Sequence, residues 1–165
     1  HIDTWRWAGV PFYIRAGKRL PLTTTQVLVD MKTPPLSVFD PIGAPQSNYF
    51  RFRLSPEVVI AEGMRVKKPG EEMRGEAVEL VARHDSGPEK SPYERLLGDA
   101  IRGDNGLFTS DECVEAAWAV VDQVLAHEGP VAFYEPGSWG PEAAAAIVSD
   151  DEGWHDTRPE QSTPC

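Results

Sequence analysis

Asn48-Tyr49-Phe50-Arg51-Phe52-Arg53-Leu54 alternates without a break. Phe50, Phe52 and Leu54 point one way and Tyr49, Arg51 and Arg53 the other, which is the two-residue period of a β-strand. Ser55-Pro56-Glu57 follows as a turn, and Val58 to Lys67 reads as a further strand, interrupted at Gly63. Lys67-Lys68-Pro69-Gly70 is a basic turn, and residues 71–75 are acidic and polar. Ala77 to His84 then alternates Val78, Leu80 and Ala82 against Glu79, Val81 and Arg83. On the N-terminal side, Gln26 to Lys32 sets Val27, Val29 and Met31 against Leu28, Asp30 and Lys32, apolar on both faces at one end. Residues 33–47 carry Pro34, Pro35, Pro41, Gly43 and Pro45 and form the intervening loop. Short turns between successive alternating strands favour an antiparallel sheet.

Further out lies Val10-Pro11-Phe12-Tyr13-Ile14-Arg15-Ala16-Gly17-Lys18-Arg19-Leu20. It reads as a strand, with Phe12 and Ile14 on one face and Tyr13 and Arg15 on the other, that runs into a turn at Gly17. Lys18 would then sit at the rim of the sheet. A lysine there is a point charge on a flexible stem, suited to a phosphate or a sugar hydroxyl; the competing reading is a solvated turn lysine. The pair Gly17-Lys18 is not a nucleotide P-loop, because Phe12 stands where that motif needs glycine and Arg19 where it needs Ser or Thr. Upstream, Trp5 and Trp7 are spaced to share one face of an extended segment, as core or interface aromatics.

Downstream the period changes. Ser91-Pro92-Tyr93-Glu94 is a helix start with cap, first-turn proline and capping box. Tyr93, Leu96, Leu97, Ala100 and Ile101 mark its apolar face; Gly98 suggests close approach to another backbone, and Gly103 ends it. Thr109 with Glu112 offers a second capping box. Cys113, Ala116, Ala117, Val120, Val121, Val124 and Leu125 form an apolar stripe that closes with His127 and Gly129-Pro130. Val131 to Glu135 reads as a short strand, and Pro141 opens a short helix through Val148. From Ser149 the chain is acidic and polar and reads as a mobile tail. Strands first and helices afterwards give an α+β class: an antiparallel β-sheet with helices packed on one face.

At 165 residues with 41% hydrophobic and 25% charged residues, the chain is sized for one domain with a real core. The net charge of −10 argues against nucleic acid or an anionic membrane as partner. No apolar run approaches the length of a bilayer span, and no secretory signal is visible. Cys113, on what reads as a buried helix face, and Cys165, the last residue, do not suggest a disulfide, so a reducing, cytoplasmic setting is expected. The chain opens on His1 rather than Met, which suits a fragment, a processed product or an expressed piece.

Chemistry is sparse in the pattern. No G-x-G-x-x-G follows a strand, so no dinucleotide site is encoded. His1, His84, His127 and His155 have no partner at metal-ligand spacing; His84 and His127 read as structural, the latter favoured by a helix C-terminus. Asp99 and Asp104 flank a helix end and read as an acidic face rather than a catalytic pair.

Several segments in series resemble the C-terminal part of glucose-6-phosphate dehydrogenase: Arg6-Trp7-Ala8-Gly9-Val10-Pro11-Phe12-Tyr13-Ile14-Arg15-Ala16-Gly17-Lys18, Tyr93-Glu94-Arg95-Leu96-Leu97-Gly98-Asp99-Ala100, Gly103-Asp104 with Leu107-Phe108, Glu115 with Trp118, and Gly137-Ser138-Trp139-Gly140-Pro141. The resemblance runs from Ile2 to about Ile147. It implies residues 1–148 as part of that enzyme's C-terminal α+β domain, and 149–165 as a tail. It implies Lys18 as a contact to glucose 6-phosphate. Thr23, where the family usually has a second cation, is the other residue expected at the substrate, and Ser55-Pro56 replaces the family's Gln-Pro nearby. Thr24 and Leu28 stand where animal members place basic residues for a second, structural NADP, so that site is not expected. The family's nucleotide-binding domain and its R-I-D-H-Y segment, whose histidine is the general base, are not in this sequence. NADP is thus the cofactor of the intact enzyme and not bound by this chain, which supplies no catalytic residue and alone is expected to be inactive. The family's sheet forms its subunit interface, so a homodimer or tetramer through the sheet is expected, with Tyr49, Leu28 and Val81 as its exposed outer residues. The alternative is a non-catalytic sugar-phosphate-binding or assembly module related to the enzyme.

Overall fold

The computed structural model describes residues 2–36, 47–70, 72–84, 91–127, 129–148 and 153–157. Four antiparallel strands, β1 (Thr25–Asp30), β2 (Tyr49–Ser55), β3 (Val58–Lys67) and β4 (Gly75–His84), lie side by side in chain order. They belong to a compact unit formed by His1–Asp85 and Ala132–Cys165, which also holds the 3₁₀ helix Glu142–Val148. A second unit, Ser86–Val131, contains α1 (Pro92–Arg102) and α2 (Asp111–Leu125).

The register explains which sheet face is covered. Tyr49 lies opposite Gly63 and Gly63 opposite Glu79; Arg51 lies opposite Ala61, and Arg53 opposite Val59. Small residues on β3 therefore leave room for long side chains from β2 to cross toward β4. On this face Val59 and Ala61 are fully buried, and Arg53 is buried with them. The opposite face carries Val27, Val29, Phe50, Phe52, Ile60 and Leu80, and there Ile60 and Leu80 are 48% and 61% exposed. This reverses the expectation for the outer residues. Val81 is exposed, but Tyr49 and Leu28 are half-buried, and the larger open apolar surface is on the other side.

Gly63 does not interrupt its strand. A Cβ there would stand 2.2 Å from Cε1 of Tyr49, so the glycine makes space for the ring while β3 continues through it.

Two further expectations about strands are corrected. Val10–Leu20 is not in the sheet: Pro11 has no amide to donate, and among the described residues no strand pairs with the segment. Val131–Glu135 likewise forms no strand, and Phe133 within it is 92% exposed. Trp5 and Trp7 sit in a series of turns rather than on one extended face. Trp5 is exposed, while Trp7 meets Phe12 edge-on at 5.4 Å.

In the helical unit, Ser91 caps α1 by accepting from the Glu94 amide at 3.2 Å, and Gly103 closes it in the left-handed region at φ 72°. The cap of α2 is Ser110, which accepts from the Cys113 amide, and not Thr109 one residue earlier. At Gly98 a Cβ would meet, among the described residues, no backbone of another element but the Arg102 guanidinium at 3.3 Å, which pairs with the buried Asp99 carboxylate. Cys113 is exposed rather than buried, as are Val120, Val124 and Leu125 of the same stripe. The reason is that α2 has no buried residue at all, so its apolar pattern marks a helix without marking a covered one.

Candidate functional site

Lys18 sits at the tip of a turn that is braced from the far end of the chain. The Tyr134 hydroxyl donates to the Lys18 carbonyl at 2.7 Å, and the Gly137 amide donates to the Arg19 carbonyl at 2.8 Å. The backbone reverses at Arg19, in the left-handed region at φ 58°, and not at Gly17 as the sequence suggests. Gly17 has a different use: a Cβ on it would meet the Tyr134 oxygen at 3.3 Å. Lys18 and Arg19 are exposed, and among the described residues neither makes an ion pair.

Arg15, just before the turn, is engaged elsewhere. Its guanidinium carbon lies 4.5 Å from the Trp139 ring centroid and 4.8 Å from that of Trp154, and its Nη2 donates to Asp156 at 2.7 Å. Trp154 also meets Tyr13 edge-on, and its Nε1 donates to the Ala144 carbonyl at 2.8 Å. His155 reaches Asp30, at the end of β1, at 3.3 Å. Residues 153–157, inside the stretch read as a tail, are thus held against the segment that leads to Lys18.

Thr23 is exposed. Next to it, Thr24 donates to the Ser55 carbonyl at 2.9 Å, and Thr25 pairs with Ser55 in the ladder. The structure therefore makes neighbours of Thr24-Thr25, which follow Thr23, and Ser55. Tyr134 was not singled out by the sequence; neither periodicity nor a motif connects it to a residue 116 positions away.

A second cluster lies on the covered face of the sheet. The Tyr49 hydroxyl donates to Glu79 at 2.8 Å, and Arg51 pairs with the same carboxylate at 2.9 Å. Burial pushes the Tyr49 phenol above its ordinary pKa. The hydrogen bond to Glu79 and that carboxylate's charge act the same way, and Arg51 opposes them. All three side chains are satisfied by one another, so the cluster reads as structural. Asp99 pairs with Arg102, and Asp104 accepts from the Gly106 amide at 2.9 Å, so these two do not form a catalytic pair. His127 contacts the Gln123 carbonyl at 2.7 Å, in keeping with a structural role. Among the described residues there is no group of three or more His, Cys, Asp or Glu placed to hold a metal, and no helix long and apolar enough to cross a membrane.

Together these features define an α+β domain with an antiparallel sheet and an exposed lysine on a cross-braced turn. The family model described as glucose-6-phosphate dehydrogenase, C-terminal domain, matches residues 1–155, and the chain belongs to that family. It is 37% identical over 166 aligned positions to the glucose-6-phosphate 1-dehydrogenase of Treponema pallidum, with 94% of this chain and 32% of that protein covered. With the enzyme of Mycolicibacterium smegmatis the identity is 40%, covering 94% of this chain and 33% of that one. The crystal structure of glucose-6-phosphate 1-dehydrogenase from Mycobacterium avium superposes with a TM-score of 0.82 at 35% identity, over 97% of this chain and 34% of that one. The chain spans about a third of the length of these relatives.

Proposed function

We propose that this chain is the C-terminal part of an NADP-dependent glucose-6-phosphate dehydrogenase, the cytoplasmic enzyme that oxidises glucose 6-phosphate to 6-phosphogluconolactone. The observation that carries the reading is the family match over residues 1–155; an exposed lysine on a braced turn, where the resemblance puts the family's glycine-lysine, supports it. In this reading Lys18 holds glucose 6-phosphate with a point charge, and Thr23 offers a hydroxyl in place of a second cation. Residues 1–148 belong to the α+β domain and 149–165 to an acidic tail that is docked at 153–157. The apolar sheet face built on Val27, Phe50, Phe52, Ile60 and Leu80 is the surface through which the protein would assemble as a homodimer or tetramer.

The fit to NADP is poor within this chain. The described strands are antiparallel neighbours, and a dinucleotide is seated at the crevice of a parallel strand–helix–strand unit. We therefore assign the nicotinamide and the general base to sequence outside it. NADP, held by sequence outside this chain, would supply the hydride acceptor; within this chain Lys18 and Thr23 bind and orient the sugar phosphate. An NADP-reduction assay on the pure 165-residue chain should give no turnover. Turnover at the level of a whole enzyme would refute the division of labour.

A further inference from the structure

We propose that Tyr134 is a positioning residue for Lys18, setting the direction in which the lysine presents its charge; this rests on the assignment of Lys18 to glucose 6-phosphate. A lysine stem is flexible, so its Cα and the flanking peptides decide where its charge can reach. At this turn the flanking peptides are held from outside. The carbonyl of Lys18 accepts the Tyr134 hydroxyl at 2.7 Å, and the next carbonyl, of Arg19, accepts the Gly137 amide at 2.8 Å. Arg19 is in the left-handed region, a conformation that a non-glycine residue keeps only where its surroundings over-determine it. The two donors supply that determination.

The third observation is negative space. Residue 17 is glycine, and a Cβ there would stand 3.3 Å from the Tyr134 oxygen, tighter than ordinary van der Waals contact. The hydroxyl thus occupies the space a side chain would take. Tyr134 does not itself offer its proton to a ligand, because that proton is spent on the Lys18 carbonyl. It acts through the lysine.

The test is a double-mutant cycle on the full chain, with glucose 6-phosphate as the probe and affinity read by NMR titration of the backbone amide signals. Lys18→Ala should weaken binding most. Tyr134→Phe should weaken it about five-fold, the scale of one neutral hydrogen bond. In the Lys18→Ala background Tyr134→Phe should have no further effect, because the two act as one unit. Gly17→Ala should weaken binding about three-fold in the native background, a smaller share of the same bond, and be silent beside Tyr134→Phe, which removes the oxygen it meets. Unchanged affinity in Lys18→Ala, or no binding by the native chain, overturns the lysine assignment and this inference with it. If Lys18→Ala weakens binding but Tyr134→Phe does not, or weakens it equally with and without the lysine, the tyrosine's role is overturned and the lysine's stands. Should Tyr134→Phe fail to fold, unchanged affinity in Gly17→Ala overturns the role by itself.

Discussion

In the sheet, Tyr49, Arg51 and Glu79 meet because their strands are in register. At the Lys18 turn, the supporting side chains arrive from 116 and 141 residues away, as Tyr134 and Asp156. The first region has a backbone ladder beneath it, so each side-chain contact adds to geometry already set. The second has no ladder; its shape rests on a few side-chain contacts and the single backbone bond from Gly137 to Arg19, and each one counts for more. The difference is between a platform that fails by overpacking and a turn that fails by losing an anchor.

The sharpest way to break the platform is Gly63→Ala. The new methyl would stand 2.2 Å from the Tyr49 ring, which must swing out and abandon Glu79. A loss of about 2–3 kcal/mol is expected in denaturant unfolding, and truncating Tyr49 in the same chain should recover part of it. A loss below about 0.5 kcal/mol, the range of an unremarkable surface change, would mean the ring is not confined.

Removing an anchor tests the turn. Arg15→Ala deletes two ring contacts and the pair with Asp156, and should cost about 1–2 kcal/mol, the sum of partly buried cation–π and ion-pair contributions. Hydrogen exchange at Trp154 Nε1, now bonded to the Ala144 carbonyl, should speed up, while amides of β2 and β3 keep their protection. Equal loss of protection in the sheet would show that the two regions are not separately supported.

The smallest expected effect is the most diagnostic of the sheet cluster. Tyr49 titrates above its ordinary value, so the folded state favours the protonated phenol. That stability is present below about pH 10, the unfolded value, and is lost as pH rises through the higher folded value. Tyr49→Phe should cost about 1 kcal/mol near neutrality. Its melting temperature should then fall less steeply than the native protein's above about pH 10. Parallel curves for the two proteins would contradict the raised phenol.

Much of the sheet was legible in the sequence because the signal is local. Alternation in 48–54, 58–67 and 77–84 places β2, β3 and β4 within about two residues, a precision typical of element ends. The same alternation in Val10–Leu20 misleads: it describes an extended chain, and a strand needs a neighbour as well. The α1 cap at Ser91 was legible for a local reason too, and Ser110 rather than Thr109 at α2 is a one-residue slip between two residues of the same capacity. Of the candidate site, the sequence pointed to Lys18, and its support from Tyr134 and Gly137 was not legible.

From the sequence alone came the antiparallel α+β class, the four strands from β1 to β4 followed by α1 and α2 in that order, and the family. These follow from periods, caps and motifs that span a few residues at a time. Tertiary structure alone decided which face of the sheet is covered, why residue 63 is glycine, and what holds the Lys18 turn. Each of those depends on the size of a neighbour on another strand or on a donor more than a hundred residues distant. Such contacts exist only once the chain has closed on itself, and no local pattern encodes them.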